Sequence, residues 1–278
     1  MRGWLVPLLC ACALAITGGT HALASGPEHA PTMAEFRLQI VGSGRDFEAR
    51  RGSDRFDFDA PLRLGMGVRA DLFPTALFLS TRSFADGIGL YIEASRIKLM
   101  TEMSWRAGED DRVYRVDVPT RHATLRLGGR YDHQVHPQIG VGLLAGYTSL
   151  AYAIAYNPLF ESTYYQGFET GLRVALGAGH RPHLTLEGRW MPSLGLGESV
   201  QVYGDPERAW GAHVGATLTL PLVFGLFVEA QYAFLWINTD LVFEDRAGFL
   251  QDVTLRDRFH TLVVHFGYRF RSLAPSQP

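Results

Sequence analysis

Four histidines bracket two short polar segments of this sequence, His133 and His136 in one and His180 and His183 in the other. Each pair leaves two residues between its members, and Asp132 adjoins the first. Nitrogen and oxygen donors of this kind suit zinc or copper. The two segments read as turns of non-adjacent hairpins, however, and neither pair falls on a helix. Solvated turn residues account for them, and no metal ligand is assigned. Two acidic runs, Asp54, Asp57 and Asp59 and then Glu109, Asp110 and Asp111, would suit calcium by oxygen count. Neither has the glycine and terminal glutamate of an EF-hand loop, so solvated loop charge is the simpler reading. His122, His213 and His265 alternate onto a polar strand face beside Glu and Arg positions. They could pass protons, but histidines in a charge network need no catalytic role. The run Gly140-x-Gly142-x3-Gly146 is no nucleotide loop, because its intervening residues continue a strand and no helix follows. No catalytic residue and no cofactor follow from these motifs.

The elements that must position these groups begin after an export signal. Arg2 supplies the positive charge, Trp4 to Ile16 the apolar stretch, and Ala22-Leu23-Ala24 the small-x-small site before Ser25. Cys10 and Cys12 both fall inside that segment, so the mature chain carries no disulfide and no thiolate metal site. A lipoprotein reading through Leu9-Cys10-Ala11-Cys12 would leave too short an apolar stretch. Beyond the signal no run of eighteen apolar residues occurs, which excludes a helical membrane protein. The formal net charge of -2 over 278 residues argues against a nucleic-acid binder. Thirty glycines suit turns and packed strands better than helices, and Lys98 is the single lysine among many arginines.

Alternation with period two runs through the mature chain. Leu262, Val264, Phe266, Tyr268 and Phe270 share one face of the last strand, against Thr261, Val263, His265, Gly267 and Arg269. Ten such segments are expected, near 34–43, 60–73, 86–100, 117–131, 138–154, 163–178, 183–192, 208–220, 225–238 and 257–271. Most reach the roughly 9–11 residues that a tilted strand needs to cross a bilayer. Short connections (132–137, 179–182 and 221–225) alternate with longer ones (44–59, 101–116, 193–207 and 239–256). Two connections break that rhythm, a short one at 155–162 and a long one at 74–85. The apolar face carries large side chains. The other face mixes glycine with charge: Arg37, Arg63, Arg69, Asp71, Glu93, Arg126, Arg130, Glu169, Arg173, Glu187, Arg189, Glu229 and Arg269. Such a face could not core a soluble sandwich, because unpaired buried charge costs several kcal/mol per ion. Turned inside out it is consistent, with lipid on the apolar side chains and the charges paired in a lumen. Trp190, Trp210, Trp236, Tyr131, Tyr147 and Tyr268 are placed as interfacial girdles.

The run Leu262-x-Val264-x-Phe266-x-Tyr268-x-Phe270 resembles the C-terminal assembly signal of bacterial outer-membrane β-barrel proteins. The mature chain as a whole is similar in pattern to the OmpA-type and porin-like small barrels. It departs from them in the residues Arg271 to Pro278 that follow the phenylalanine, and no peptidoglycan-binding domain follows. The resemblance implies handling by periplasmic chaperones and the barrel-assembly machinery, an outer-membrane location and periplasmic termini.

The reading is therefore an all-β, antiparallel, up-and-down transmembrane barrel of ten strands, with eight and twelve as the neighbouring counts. Residues 1–24 are the signal, 25–33 a periplasmic segment, 34–271 the barrel and 272–278 a tail. Its partners are outer-membrane lipid and an extracellular ligand of unstated chemistry, not nucleic acid. A lumen filled with Arg and Glu favours a closed structural or surface-binding barrel over a narrow diffusion channel. Contact would then fall to loops bearing Phe56, Phe58, Trp105, Tyr114, Tyr203, Phe243 and Phe249. A barrel hydrolase is the third reading. Omptin-type surface proteases place Asp and His at the outer rim, where only His260 stands near here, with His122 deeper. Outer-membrane lipid deacylases place a Ser–His pair facing lipid, and only His260 could face outward.

Overall fold

The computed structural model describes residues 32–51, 54–77, 87–107, 112–155, 162–177, 182–197, 203–244, 248 and 250–271. The expected export signal, the acidic run 109–111, His180 and Phe249 lie outside these residues, as do the side chains of Asp54, Phe56, Asp57, Phe58, Trp105 and Tyr114.

The strands are β1 (Thr32–Arg51), β2 (Asp54–Leu72), β3 (Ile88–Ala107), β4 (Arg112–His136), β5 (Ile139–Ile154) and β6 (Thr163–Leu176). They continue as β7 (His183–Met191), β8 (Leu194–Leu196), β9 (Asp205–Pro221), β10 (Leu226–Glu244) and β11 (Leu250–Arg271). All pairings are antiparallel, and the sheet closes on itself through β1–β11 and β5–β6. Strands β7 and β8 are one strand interrupted at Pro192, which has no N–H for the ladder. Both pair with β6, Trp190 opposite Thr170 and then Leu194 opposite Gly167, a slip of one residue. The ring therefore has ten staves, the number expected, and each expected segment lies within or largely overlaps one of them.

The strands outrun the expected segments at one end. Residues 44–59 were expected as a loop, yet β1 and β2 run on as a paired ribbon to Arg51 and Asp54. The same correction applies to 101–116, where β3 and β4 pair up to Ala107 and Arg112, and to 239–256, where β10 and β11 pair to Glu244 and Leu250. The physical reason lies in the side chains. On β1, Phe36, Leu38 and Ile40 point outward while Glu35, Arg37 and Gln39 point in. Further along, Phe47 and Ala49 point inward and are buried, while Asp46 and Glu48 alternate with them on the outer face. Strand β11 repeats the exchange, with Phe266 and Phe270 outside and His265 inside, then Phe259, Leu255 and Val253 buried inside. Strand β10 does so between Trp236 outside and Ile237 and Leu241 inside. The apolar side of the wall thus changes from lipid-facing to lumen-facing part-way up each strand. The lower part has the polarity of a membrane barrel and the upper part that of a water-soluble one.

At the lower end β4 and β5, and β9 and β10, are joined by tight turns. Between β9 and β10 the chain turns through Val223–Gly225, with Phe224 at φ 56 and Gly225 at φ 82. Two consecutive left-handed residues make the twist that a short hairpin needs.

Candidate functional site

The lower lumen holds one connected chain of ion pairs. Arg269 pairs with Glu35 at 2.6 Å, Glu35 with Arg37 at 2.5 Å, and Arg37 with Glu229 at 2.9 Å and Asp71 at 2.5 Å. Asp71 also takes Arg69 at 3.0 Å and Arg130 at 2.5 Å, and Arg69 reaches Glu93 at 3.5 Å. From Arg130 the chain passes through Asp132 to Arg173 and Glu187, then to Arg189, Glu169 and Arg126. Seven guanidiniums and seven carboxylates take part, so the network balances its own charge. Asp71 is the hub: three arginines converge on a carboxylate with no exposed side-chain surface.

Of the lumen residues expected from the sequence, twelve join this network. The exception is Arg63, which is exposed beside the bulge between Ser43 and Arg45 of the β1–β2 pairing. Arg63 is the last residue in register before the bulge, opposite Ser43, and lies beyond Gly65, where β2 stops pairing with β3. Sequence reasoning missed Glu35 and Asp132. The parity of Glu35 with Arg37 was a usable signal, whereas Asp132 was counted with a turn that the strand overruns.

Packing in this layer relies on one large residue over two absent side chains. Tyr91, Gly128, Gly146 and Glu169 are successive neighbours across β3, β4, β5 and β6. The tyrosine lies over both glycines and donates its hydroxyl to Glu169 Oε1 at 2.9 Å. A Cβ on Gly146 would stand 2.6 Å from the tyrosine oxygen and 2.5 Å from a backbone oxygen, so only glycine fits. Phe227 uses Gly267 in the same way at the lower end, with Arg37 and Arg269 over its ring at 5.1 and 5.5 Å.

The upper lumen has different chemistry. Val41, Phe47, Ile97, Leu150, Met191, Leu235, Ile237, Leu241, Leu255 and Phe259 belong to one buried cluster. Through it runs a second ion pair, Arg45 to Asp257 at 2.5 Å. The Arg45 guanidinium also donates to Thr163 at 2.9 Å and lies over the Tyr152 ring, and Tyr165 donates to Asp257 at 2.9 Å. These groups come from β1, β11, β5 and β6, on opposite sides of the ring, so the contact spans the lumen. Neither Arg45 nor Asp257 was expected, since Arg45 fell in an assumed loop.

Two small cavities lie in the lumen below and at the lower edge of the apolar cluster. One of about 180 Å³ lies toward the short turns among Arg130, Asp132, Arg173, Glu187 and Arg269. The other, about 50 Å³, is lined by Gln39, His122, Arg126 and His213. Gln39 and His122 have side-chain atoms without a protein partner there, which suits the cavity to ordered water.

The histidines resolve as follows. His122, His213 and His265 are buried in the lumen, and His122 stacks on Phe259 at 5.0 Å. His133 stacks on Tyr131, and His136 Nδ1 accepts the Gln138 N–H at 3.3 Å. Among the described residues no group of three or more His, Cys, Asp or Glu is gathered as a metal would require. His260 faces outward, with Nδ1 2.8 Å from the Tyr232 hydroxyl and Nε2 3.5 Å from Asp46. Both nitrogens are engaged, and neither partner is a serine or threonine.

On the outer surface the apolar band includes Leu64, Met66, Leu143, Phe168 and Leu172, each more than half exposed. Trp190, Trp210 and Trp236 stack in a row across β7, β9 and β10, at 5.0 and 5.1 Å. A closed ring with this exterior and a paired-charge lumen defines a bacterial outer-membrane β-barrel fold. Comparison with solved structures agrees. The chain is similar to the outer membrane protease OmpT from Escherichia coli, at 10% identity and a TM-score of 0.50, over 91% of this chain and 100% of that one. Looser likenesses are the β domain of the Bordetella autotransporter BrkA (14%, 0.45, 87% and 100%) and OprG from Pseudomonas aeruginosa (9%, 0.38, 87% and 99%). No protein-family model and no curated protein matches the sequence. At these identities the likeness concerns the fold.

Proposed function

We propose that this chain is a closed, non-enzymatic barrel of a bacterial outer membrane, with periplasmic termini, that meets other molecules through ribbons raised above the bilayer. The observation that supports this is the contact of Arg45 with Asp257, Thr163 and Tyr152 inside a continuous apolar cluster. Ions would have to cross a dry layer that a porin-like lumen lacks. Among small barrels a filled interior fits the OmpA-type group better than the porin-like one. Above the bilayer Tyr203 and Phe243, partly buried against the cluster, with Arg51 over the Phe243 ring at 4.9 Å, are part of a surface for an extracellular ligand. Outer-membrane lipid and the barrel-assembly machinery are the other partners. His260 has Tyr232 and Asp46 as its partners, which does not support the Ser–His pair of a lipid deacylase; an Asp–His pair at the rim is the feature a hydrolase reading would use. Planar-bilayer recording of the refolded protein tests the reading. Silence from a folded, heat-modifiable barrel is expected, and reproducible unitary steps from the native chain would overturn it.

A further inference from the structure

The level at which the wall changes polarity is marked differently around the barrel. Across β7, β9 and β10 it carries the three stacked tryptophans. On β11 it carries Arg258 and Arg256, which stand opposite Asp46 and Glu48 of β1. On β3 and β4 it carries cations alone. Outward-facing Ile88, Leu90 and Ile92 give way to exposed Arg96 and Lys98 along β3, and Leu127 and Leu125 give way to exposed Arg121 along β4. Lys98 stands directly opposite Arg121 in the ladder. Among the described residues none of these three cations has an ion-pair partner. Like charges in direct cross-strand register are destabilising, and an anion held between them would offset that.

The wall opens beside the same residues. The β2–β3 ladder ends at Gly65 opposite Ile97, although β2 continues to Asp54 and β3 to Ala107. Each continues paired with its own hairpin partner and not with the other. Met66 stands opposite Arg96 just below the end of the ladder and is 73% exposed, and Leu64 on the free edge is 70% exposed. These two are among the most exposed apolar side chains of the band. Arg63 adds a fourth cation on the β2 side of the seam. Apolar surface directly below unpaired cations, at the level of a bilayer interface, has the chemistry of an anionic amphiphile.

We propose that the seam between β2 and β3 is a binding site for a phosphate-bearing lipid of the outer leaflet. Its acyl chains lie on Leu64 and Met66, and Arg96, Lys98 and Arg121 hold its phosphate. Guanidinium pairs with phosphate through two parallel hydrogen bonds, and a lysine adds a point charge. The inference rests on the membrane reading above.

The test reconstitutes the mature chain into phosphatidylcholine vesicles containing a minor fraction of phosphatidic acid, then counts retained lipid by native mass spectrometry after detergent extraction. Juxtamembrane basic residues each contribute on the order of 1 kcal/mol toward an anionic surface. The Arg96→Gln/Lys98→Gln/Arg121→Gln variant should therefore retain at least about tenfold less phosphatidic acid, with phosphatidylcholine unchanged. The charge-conserving Arg96→Lys/Arg121→Lys variant should keep most of it. Inorganic phosphate at millimolar concentration should not displace the lipid. Equal retention by the neutral and native proteins would overturn the site. Displacement by inorganic phosphate would make it a free-anion site and overturn the lipid assignment. Failure of the native chain to insert into vesicles would overturn both the membrane reading and the site, whereas insertion without preference removes the site alone.

Discussion

Arg45 on β1 and Tyr152 on β5 meet across the barrel, with the guanidinium carbon 3.9 Å from the ring centroid, while Asp257 on β11 holds the same guanidinium. The pair is therefore both the buried charge of the upper lumen and the stitch between opposite walls. Its arrangement agrees with a closed barrel, because the charges are used within the protein and leave no free field along the axis.

Removing one partner of that pair leaves a buried charge alone. Arg45→Ala should cost about 3–5 kcal/mol, read from the urea midpoint of the reconstituted barrel. The double change Arg45→Met/Asp257→Leu should recover most of the loss, since an apolar pair of similar volume is tolerated where an ion pair is buried. A cost for Arg45→Ala below about 1 kcal/mol would place the pair in water.

The lower network predicts a contrast between two isosteric changes. Asp71→Asn strands three arginines in a buried site and should cost about 3 kcal/mol or more. Asp132→Asn acts where the side chain is 33% exposed, and solvent screening should hold its cost under about 1 kcal/mol. The same urea titration reads both, and equal costs would contradict the assignment of Asp71 as hub.

Tyr91 and its glycines predict coupling. Gly146→Val inserts side-chain atoms where the phenol lies and should cost about 1–3 kcal/mol by overpacking. Combined with Tyr91→Ala it should cost less than the sum of the two, since the larger side chain then has the space of the ring. Additive costs in this double-mutant cycle would show that the phenol does not rest on Gly146.

The change in wall polarity predicts depth-dependent tolerance. Leu172→Arg places a charge in the apolar band and should cost about 2–4 kcal/mol in a bilayer. Asn238→Arg, outward on β10 above Trp236, should stay within about 0.5 kcal/mol. In a water-soluble protein Leu172→Arg, at an exposed position, would be as mild as the other.

The ten staves were legible because lipid on one side and a polar lumen on the other impose strict alternation, as in Phe36, Leu38 and Ile40 against Glu35, Arg37 and Gln39. Twelve lumen charges followed from the same parity. The upper ribbons were not legible. At Asp46–Phe47–Glu48–Ala49 the alternation persists with its sense reversed, and a reading that expects apolar residues outside takes it for a polar loop. That reversal also concealed Arg45 and the apolar plug. Arg63 shows the other limit: it lies past Gly65, where β2 has left β3, and no local residue pattern announces that. The break in the β2–β3 ladder depends on how neighbouring hairpins diverge, which no single strand encodes.

The central claim, that the lower wall is embedded in lipid with its charges inside, is tested most directly by fluorescence quenching with brominated lipids. The mature Trp105→Phe chain, reconstituted into vesicles, reports through Trp190, Trp210 and Trp236, which stack on the outer face near the change of polarity. The account predicts strong quenching, greatest for bromines placed shallow in the acyl region and weaker for bromines near the bilayer centre. Emission insensitive to bromine at every depth would contradict a transmembrane barrel.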